Sequence, residues 1–267
     1  MGLCLRTILG LLLMLPTLAA APARAGPLSL ESKLDFLARA YPDAIAGHEG
    51  NLLLFRDGGP PIEIDDGKAK DHFEKLEFGD IEDSLSQAYP AGGCQPRPGR
   101  NEDPGRIRSD ALMKRLYGQN AKAVAGQLVS VRWFGEILKV TPAHGVAKAL
   151  AAVAADLEDR PDLRRYLAPS AGVFNWRKVS GASNLSVHSF GAAIDLNTKF
   201  ADYWVWAGGK PGRVSAWKNQ YPMDIVEAFE RHGFIWGGRW YHYDSMHFEY
   251  RPELLAIGRA EGVAACK

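Results

Sequence analysis

Apolar residues recur at helical spacing in three stretches of the chain. Leu30, Leu34 and Leu37 form one stripe within residues 28–40, and Pro42 follows as a stop signal, so a short helix is predicted there. Val146, Leu150, Val153 and Leu157 mark a second helix over about 145–159, just ahead of Pro161. A third begins at Pro222, where a missing N–H costs nothing, turns Ile225, Ala228 and Phe229 inward and stops at Gly233. Residues 51–55 read as a brief strand closed by Asp57-Gly58-Gly59-Pro60-Pro61, and the β-branched and aromatic stretch 127–140 contributes another. Between them, eight of the sixteen residues from Pro90 to Gly105 are Gly or Pro, which marks the clearest loop.

Two later segments alternate at strand period. Ala193, Asp195 and Asn197 share one face and Ile194 and Leu196 the other; His247 and Glu249 alternate with Met246, Phe248 and Tyr250. Each strand thus offers polar side chains from one side. His188 sits in a preceding loop that Gly191 can fold back over the strand. Zinc in hydrolytic sites takes three protein N or O ligands and keeps a position for water, so His188, Asp195 and His247 would make a complete and open set. Asp244, three residues before His247, is then free to act as a base. Residue types alone leave this reading open, because two histidines and an aspartate occur together in many chains.

Composition narrows the classes. The chain has 267 residues, 46% hydrophobic, with 32 Lys and Arg against 31 Asp and Glu. That is an ordinary globular composition with no excess positive field for phosphate contacts, so nucleic acid is excluded as the leading partner. Residues 1–25 differ: Arg6, an apolar run from Ile8 to Leu15, Pro16, then Ala23-Arg24-Ala25 read as a cleaved secretory signal, with the mature chain starting near Gly26. The run is shorter than the roughly 20 residues a membrane span needs, so no stable span is expected after cleavage, and the location is periplasmic or extracellular. Cys4 leaves with the signal. In an oxidising compartment the remaining Cys94 and Cys266 are expected to pair, tying the Gly/Pro loop to the C-terminal tail; two unrelated thiols are the alternative.

The spaced set Ser186-x-His188-x-x-Gly191-x-Ala193-x-Asp195, followed by Gly237-Gly238-x-Trp240 and Asp244-x-x-His247-Phe248-Glu249, resembles the zinc motif of peptidase family M15. That family holds D-alanyl-D-alanine carboxypeptidases, VanX-like and VanY-like enzymes and L-alanyl-D-glutamate endopeptidases. The resemblance covers roughly residues 172–255 and leaves those before about 145 unexplained. It implies a Hedgehog/DD-peptidase-like fold, one Zn2+ per chain on His188, Asp195 and His247, and Asp244 as general base. It also implies that Arg177 and Ser186 point at substrate oxygens; Trp240, and with it Tyr243, would wall the cleft. VanX-like and VanY-like members usually carry Glu as the base; Asp here is as in the endopeptidases.

The sequence therefore predicts an α+β protein: a small antiparallel sheet bearing the zinc site with helices packed on one side. Residues 1–25 form the signal, 26–140 an N-terminal extension of uncertain autonomy, and 141–267 the metallopeptidase core. The expected function is hydrolysis of peptide bonds in the peptidoglycan stem, of carboxypeptidase or endopeptidase type; the alternative is a non-catalytic, zinc-containing wall-binding module of the same fold. Glu249 is expected either to orient a ligand imidazole or to be an exposed strand carboxylate. His232 is expected to cap its helix, His48, His72 and His144 to be surface or loop residues, and His242 to stand outside the chemistry. The sequon at Asn184 falls inside the motif and is read as coincidence. Trp204, Trp206 and Trp217 are equally core or lid.

Overall fold

The computed structural model describes residue 1 and residues 26–179, 182–263 and 265. The expected signal, apart from Met1, and Cys266 lie outside the described residues. The chain runs α1 (Leu30–Ala40), β1 (Ile45–Glu49), β2 (Leu52–Phe55), β3 (Ile62–Glu63), α2 (His72–Phe78), α3 (Ile81–Ser84), α4 (Asp110–Tyr117) and α5 (Ala121–Ala125). Then follow β4 (Val129–Trp133), β5 (Glu136–Val140), α6 (Val146–Asp156), α7 (Arg164–Leu167), β6 (Ala193–Asp195), α8 (Met223–Arg231), β7 (Phe234–Trp236), β8 (His247–Tyr250) and α9 (Pro252–Ala260). This is an α+β arrangement with antiparallel pairing throughout the named strands.

Helices begin where a short polar side chain replaces a missing backbone partner. Ser29, Asp71, Ser109 and Asn120 each accept from an amide of the first turn that follows them. The three predicted helices are α1, α6 and α8, with Leu34, Leu37, Leu150, Val153, Ile225 and Phe229 buried as their periods require. Pro222 stands just outside α8 with extended ψ of 140° rather than within it. The stretch 127–140 is two strands rather than one. Phe134 and Gly135 take φ of 40° and 100°, and this reversal buries Val131 and Trp133 on one arm and Leu138 and Val140 on the other. Residues 52–55 likewise gain a partner, β1, which has no clear apolar run of its own.

The sheet that matters for function has the order β6-β8-β7. Its register sets Asp195 directly opposite His247 and Ala193 opposite Glu249, so those side chains share one face, while Ile194 and Phe248 oppose each other on the reverse. Phe248 is fully buried there, stacked on Phe229 of α8 at 4.0 Å between ring centres and flanked by Trp236. One apolar cluster runs from Leu34 to Ile257 and takes in both the N-terminal and C-terminal parts. Polar bonds reinforce it: the Tyr41 hydroxyl donates to Glu253 at 2.9 Å, and the Tyr89 hydroxyl to Glu230 at 2.8 Å. No helix of the described residues is long and apolar enough to cross a membrane.

The Gly/Pro loop of residues 90–105 is held rather than loose. The Gly92 amide donates to Glu230 at 2.8 Å, and buried Arg239 reaches the carbonyls of Gly92 and Cys94. Trp240 Nε1 donates to the Pro104 carbonyl at 2.7 Å, and the Tyr241 amide to that of Glu102 at 2.8 Å. The Ala265 amide donates to the Ala91 carbonyl at 3.2 Å, so Ala265 lies against the same loop.

Because Phe248 carries the reverse face of the β6-β8-β7 sheet, Phe248→Ala should cost about 3–5 kcal/mol of unfolding free energy, measured by denaturant titration.

Candidate metal centre

His188 lies in a single 3₁₀ turn, Val187–Phe190, that ends at Gly191 with φ of 65°. A side chain at residue 191 would also put its Cβ 2.8 Å from Leu128, so glycine alone lets the chain reverse there and enter β6. The Ser186 hydroxyl accepts from the His188 amide at 3.4 Å and caps this turn. His188 Nδ1 is 2.7 Å from the Val173 carbonyl. A carbonyl only accepts, so Nδ1 carries the proton and Nε2 presents a lone pair.

His247 is fixed from the other direction. Its Nε2 lies 3.0 Å from Glu249 Oε2, and Glu249 has no solvent exposure. Burial alone would keep Glu249 protonated, but Arg108 at 2.7 Å, His247 and Arg251 hold its carboxyl well below the usual range. Nε2 therefore donates to a carboxylate, and His247 Nδ1 turns its lone pair inward. Of the two expectations for Glu249, the structure selects the orienting partner and discards the exposed strand carboxylate.

The inward atoms meet. His188 Nε2 is 3.2 Å from His247 Nδ1 and 3.1 Å from Asp195 Oδ1, and His247 Nδ1 is 3.0 Å from the same oxygen. Three acceptors at such separations repel unless a proton or a cation lies among them. A tetrahedral ion with ligand distances of ~2.0–2.1 Å needs donor atoms ~3.3–3.4 Å apart, so the two imidazoles and one carboxylate fit a divalent cation with little movement. Burial opposes the charge on His247, yet Asp195 and Glu249 on either side push its pKa up to about 10 in the metal-free protein. Burial likewise opposes ionisation of Asp195, but His188 and His247 keep it a carboxylate.

Asp244 stands next to this group. Its amide donates to the Gly237 carbonyl at 3.0 Å, and its own carbonyl accepts from the His247 amide at 3.3 Å. A Cβ at Gly237 would come within 2.6 Å of the Asp244 carbonyl oxygen, which accounts for the first glycine of the Gly237-Gly238 pair. Asp244 Oδ1 is buried without a hydrogen-bond partner among the described residues. Desolvation first, and the charge of Asp195 second, raise its pKa to about 6, against the lowering effect of His247, His188 and Arg106. Trp240 is buried, with its ring centre 5.7 Å from that of His247.

Arg177 has an exposed side chain whose Nη1 donates to the Lys178 carbonyl at 3.4 Å. Burial raises the pKa of the Tyr203 phenol, which the Arg177 charge opposes, and the Tyr203 backbone bridges to that of Asp244. Two arginines that the motif does not contain also lie at the site. Arg108 locks Glu249, and the Arg106 guanidinium lies 5.9 Å from the Trp240 ring centre and 6.0 Å from that of Trp204. Both follow the Gly/Pro loop, and their only signal in the sequence is indirect: a buried Glu249 requires a cation from somewhere.

A second His–Asp–His group, His72, Asp103 and His242, is also close-set. His242 Nε2 accepts from the Gly212 amide at 2.9 Å, so Nδ1 carries the proton and donates to Asp103 at 2.6 Å. Both ring nitrogens of His242 are thus engaged within the protein. His144 lies in the turn between β5 and α6, as the loop reading expects, whereas His72 opens α2 and is half-buried. His72 pairs with Asp103 at 2.9 Å, and His144 bridges Asp43 and the Leu116 carbonyl at 2.7 and 2.8 Å. His232 ends α8 and pairs with Asp156 at 2.9 Å. Asn184 is buried with its Nδ2 on the Leu76 carbonyl, which closes it to a glycan. Of the tryptophans, Trp204 is buried and Trp206 exposed, and Trp217 donates to the Gly238 carbonyl at 2.7 Å.

Residues 180–250 match the family model described as D-alanyl-D-alanine carboxypeptidase, an M15 peptidase, and so bear out the family resemblance over the segment that carries this site. No curated protein and no solved structure matches the chain.

Removing the proton on His247 is part of loading the site. Metal binding at pH 7 should therefore release about one proton per ion, seen as buffer-dependent heats in calorimetry, and affinity should fall as pH falls. Glu249→Gln should weaken metal affinity about 10–100-fold while leaving His188, Asp195 and His247 in place.

Proposed function

We propose that the protein is an exported, zinc-dependent peptidase that hydrolyses peptide bonds of the peptidoglycan stem. The observation that carries this is the meeting of three inward lone pairs, from His188, Asp195 and His247, beside a carboxylate with an unpartnered oxygen, Asp244. The donor set is borderline in softness, with two imidazoles and one carboxylate, and suits zinc in an open three-ligand site. The family match over residues 180–250 supports peptidase activity.

His188, Asp195 and His247 would hold the zinc, which would supply Lewis acidity toward the scissile carbonyl and make water acidic enough, near pKa ~7, to attack at neutral pH. The chain's own residues do the rest. Asp244 is placed to take a proton from the attacking water; burial and the charge of Asp195 raise its pKa to about 6 in the metal-free protein, which leaves it ionised at neutral pH. It then delivers the proton to the departing amine. Glu249 and the Val173 carbonyl hold the two imidazoles in the tautomers that the ligands need. Arg177 is assigned to a substrate oxygen, Ser186 to the same role through the turn it caps, and Trp240 to the wall behind His247.

The Asp base favours the L-alanyl-D-glutamate endopeptidase type, and the description of the matching family favours the D-alanyl-D-alanine carboxypeptidase type. Digestion of purified sacculi followed by mass spectrometry separates them, since one cut falls beside the first stem residue and the other frees D-alanine. Binding of sacculi and zinc with no fragment released would sink the enzymatic reading in favour of a wall-binding module.

Chelation should abolish turnover and zinc should restore it. Asp244→Ala should keep the metal and lose at least ~10²-fold in kcat, while His247→Ala loses the metal itself. Ionised Asp244 is the active form, so kcat/KM should fall about tenfold per pH unit on the acid side, with a midpoint at or below pH 6 because a bound cation lowers the carboxyl pKa further. The same shift has a stability consequence of opposite sign. A carboxyl whose folded pKa is raised destabilises the fold above about pH 6, so metal-free Asp244→Asn should melt higher than the parent at pH 7, and the difference should vanish near pH 4.

A further inference from the structure

Tyr203 stands beside the base. The pairing that sets Asp195 opposite His247 resumes, past residues 197–201, in an isolated antiparallel bridge between Tyr203 and Asp244. The Trp204 amide donates to the Tyr243 carbonyl at 3.0 Å, and the Ser245 amide to the Asp202 carbonyl at 3.0 Å. These two bonds flank the pair, so Tyr203 and Asp244 are opposed in the non-hydrogen-bonded manner, with Cα atoms ~4.5 Å apart and both side chains on one face. Trp204 and Trp206 stand edge-to-face with the phenol ring at 6.0 and 5.6 Å between centres. Trp204 is buried and Trp206 exposed, which leaves Tyr203 half-buried between core and solvent.

A phenol beside a base can bond to that base or to what the base acts on. Asp244 Oδ1 accepts no hydrogen bond among the described residues, so that oxygen is not where the hydroxyl goes. The phenol is also kept in its donor form. Burial first, and the Asp244 charge second, raise its pKa above the usual tyrosine value, against the opposing charges of Arg106 and Arg177. A neutral O–H next to an ionised carboxylate suits a step in which negative charge grows on an amide oxygen, because its hydrogen bond strengthens as that charge develops. Asp244 in turn lies close enough to Asp195, His247 and His188 for their charges to shift its own pKa, so a carbonyl held at the centre comes within reach of the neighbouring phenol. We propose that Tyr203 is a catalytic residue, its hydroxyl donating a hydrogen bond to the oxygen of the scissile carbonyl while water, deprotonated by Asp244, adds to the carbon. Tyr203 forms no covalent bond and gives up no proton; the proton of the water passes to Asp244 and from there to the departing amine. This rests on the peptidase reading above and adds to it a donor inside the matched segment but outside the spaced motif.

The test uses the zinc-loaded full chain and two probes that imitate the tetrahedral adduct, the phosphinate isosteres of D-alanyl-D-alanine and of L-alanyl-D-glutamate, titrated calorimetrically. Tyr203→Phe removes only the hydroxyl. It should weaken the tighter-binding phosphinate about 10²-fold and lower kcat to a similar extent, with KM, zinc content and melting temperature close to those of the parent. Fluorotyrosine in place of Tyr203, a more acidic phenol of nearly the same shape, should bind the phosphinate at least as tightly as the parent, which separates a lost donor from disturbed packing. Phosphinate affinity unchanged by Tyr203→Phe, a loss carried by KM rather than kcat, or no binding of either phosphinate by the parent overturns the assignment. Turnover by the parent is measured apart from this: phosphinate binding that depends on the Tyr203 hydroxyl, with no cleavage of sacculi, keeps the donor and removes the peptidase reading.

Discussion

Three lone pairs within about 3 Å of one another, removed from water, are the constraint around which this protein is built. Neutral imidazole nitrogens and a carboxylate oxygen cannot rest together in a low-dielectric pocket unless positive charge lies among them. In the metal-free protein that charge is a proton held on His247 by carboxylates on both sides. Nothing in the immediate shell relieves the arrangement in another way, because Val173 and Glu249 occupy the outward nitrogens and so dictate which nitrogens turn inward.

Keeping Glu249 ionised at zero exposure draws the rest of the molecule into the site. Arg108 and Arg251 face its two oxygens, Arg251 in turn bonds Glu253, and Glu253 accepts from the Tyr41 hydroxyl. Charges alternate along this chain from the ligand His247 to the end of α1. A buried ion paired on only one side is strongly destabilising, so each member needs the next. Residues 26–140 therefore complete the centre: Arg108 belongs to them, as does the Gly/Pro loop that Arg239, Trp240 and His242 hold in place.

The opposite flank is built on the reverse principle. Asp244, Trp204 and Asn184 each bury a polar atom that no described residue satisfies, and the Arg106 guanidinium is scarcely neutralised. A stable core tolerates few such groups. The flank of the centre that holds Glu249 is fully paired, and that pairing fixes the orientation of His247.

The local pattern of the chain was enough to determine α1, α6 and α8, because each has a one-sided apolar period ended by a proline or glycine. It was enough to pick out His188, Asp195 and His247 as a group, which the fold does bring together, because their types and order lie within two short segments. It did not reveal that β6 pairs with β8 in the register that sets Asp195 opposite His247, that 127–140 folds into a hairpin, or that His72 pairs with Asp103 and His144 with Asp43. Nor could it find Arg106 and Arg108, which lie some 140 residues from Glu249 and carry no pattern of their own. Hydrophobic period and motif spacing are local quantities, carried within a few turns of chain. Which cation neutralises a buried carboxylate is settled only when distant segments pack together and exclude water.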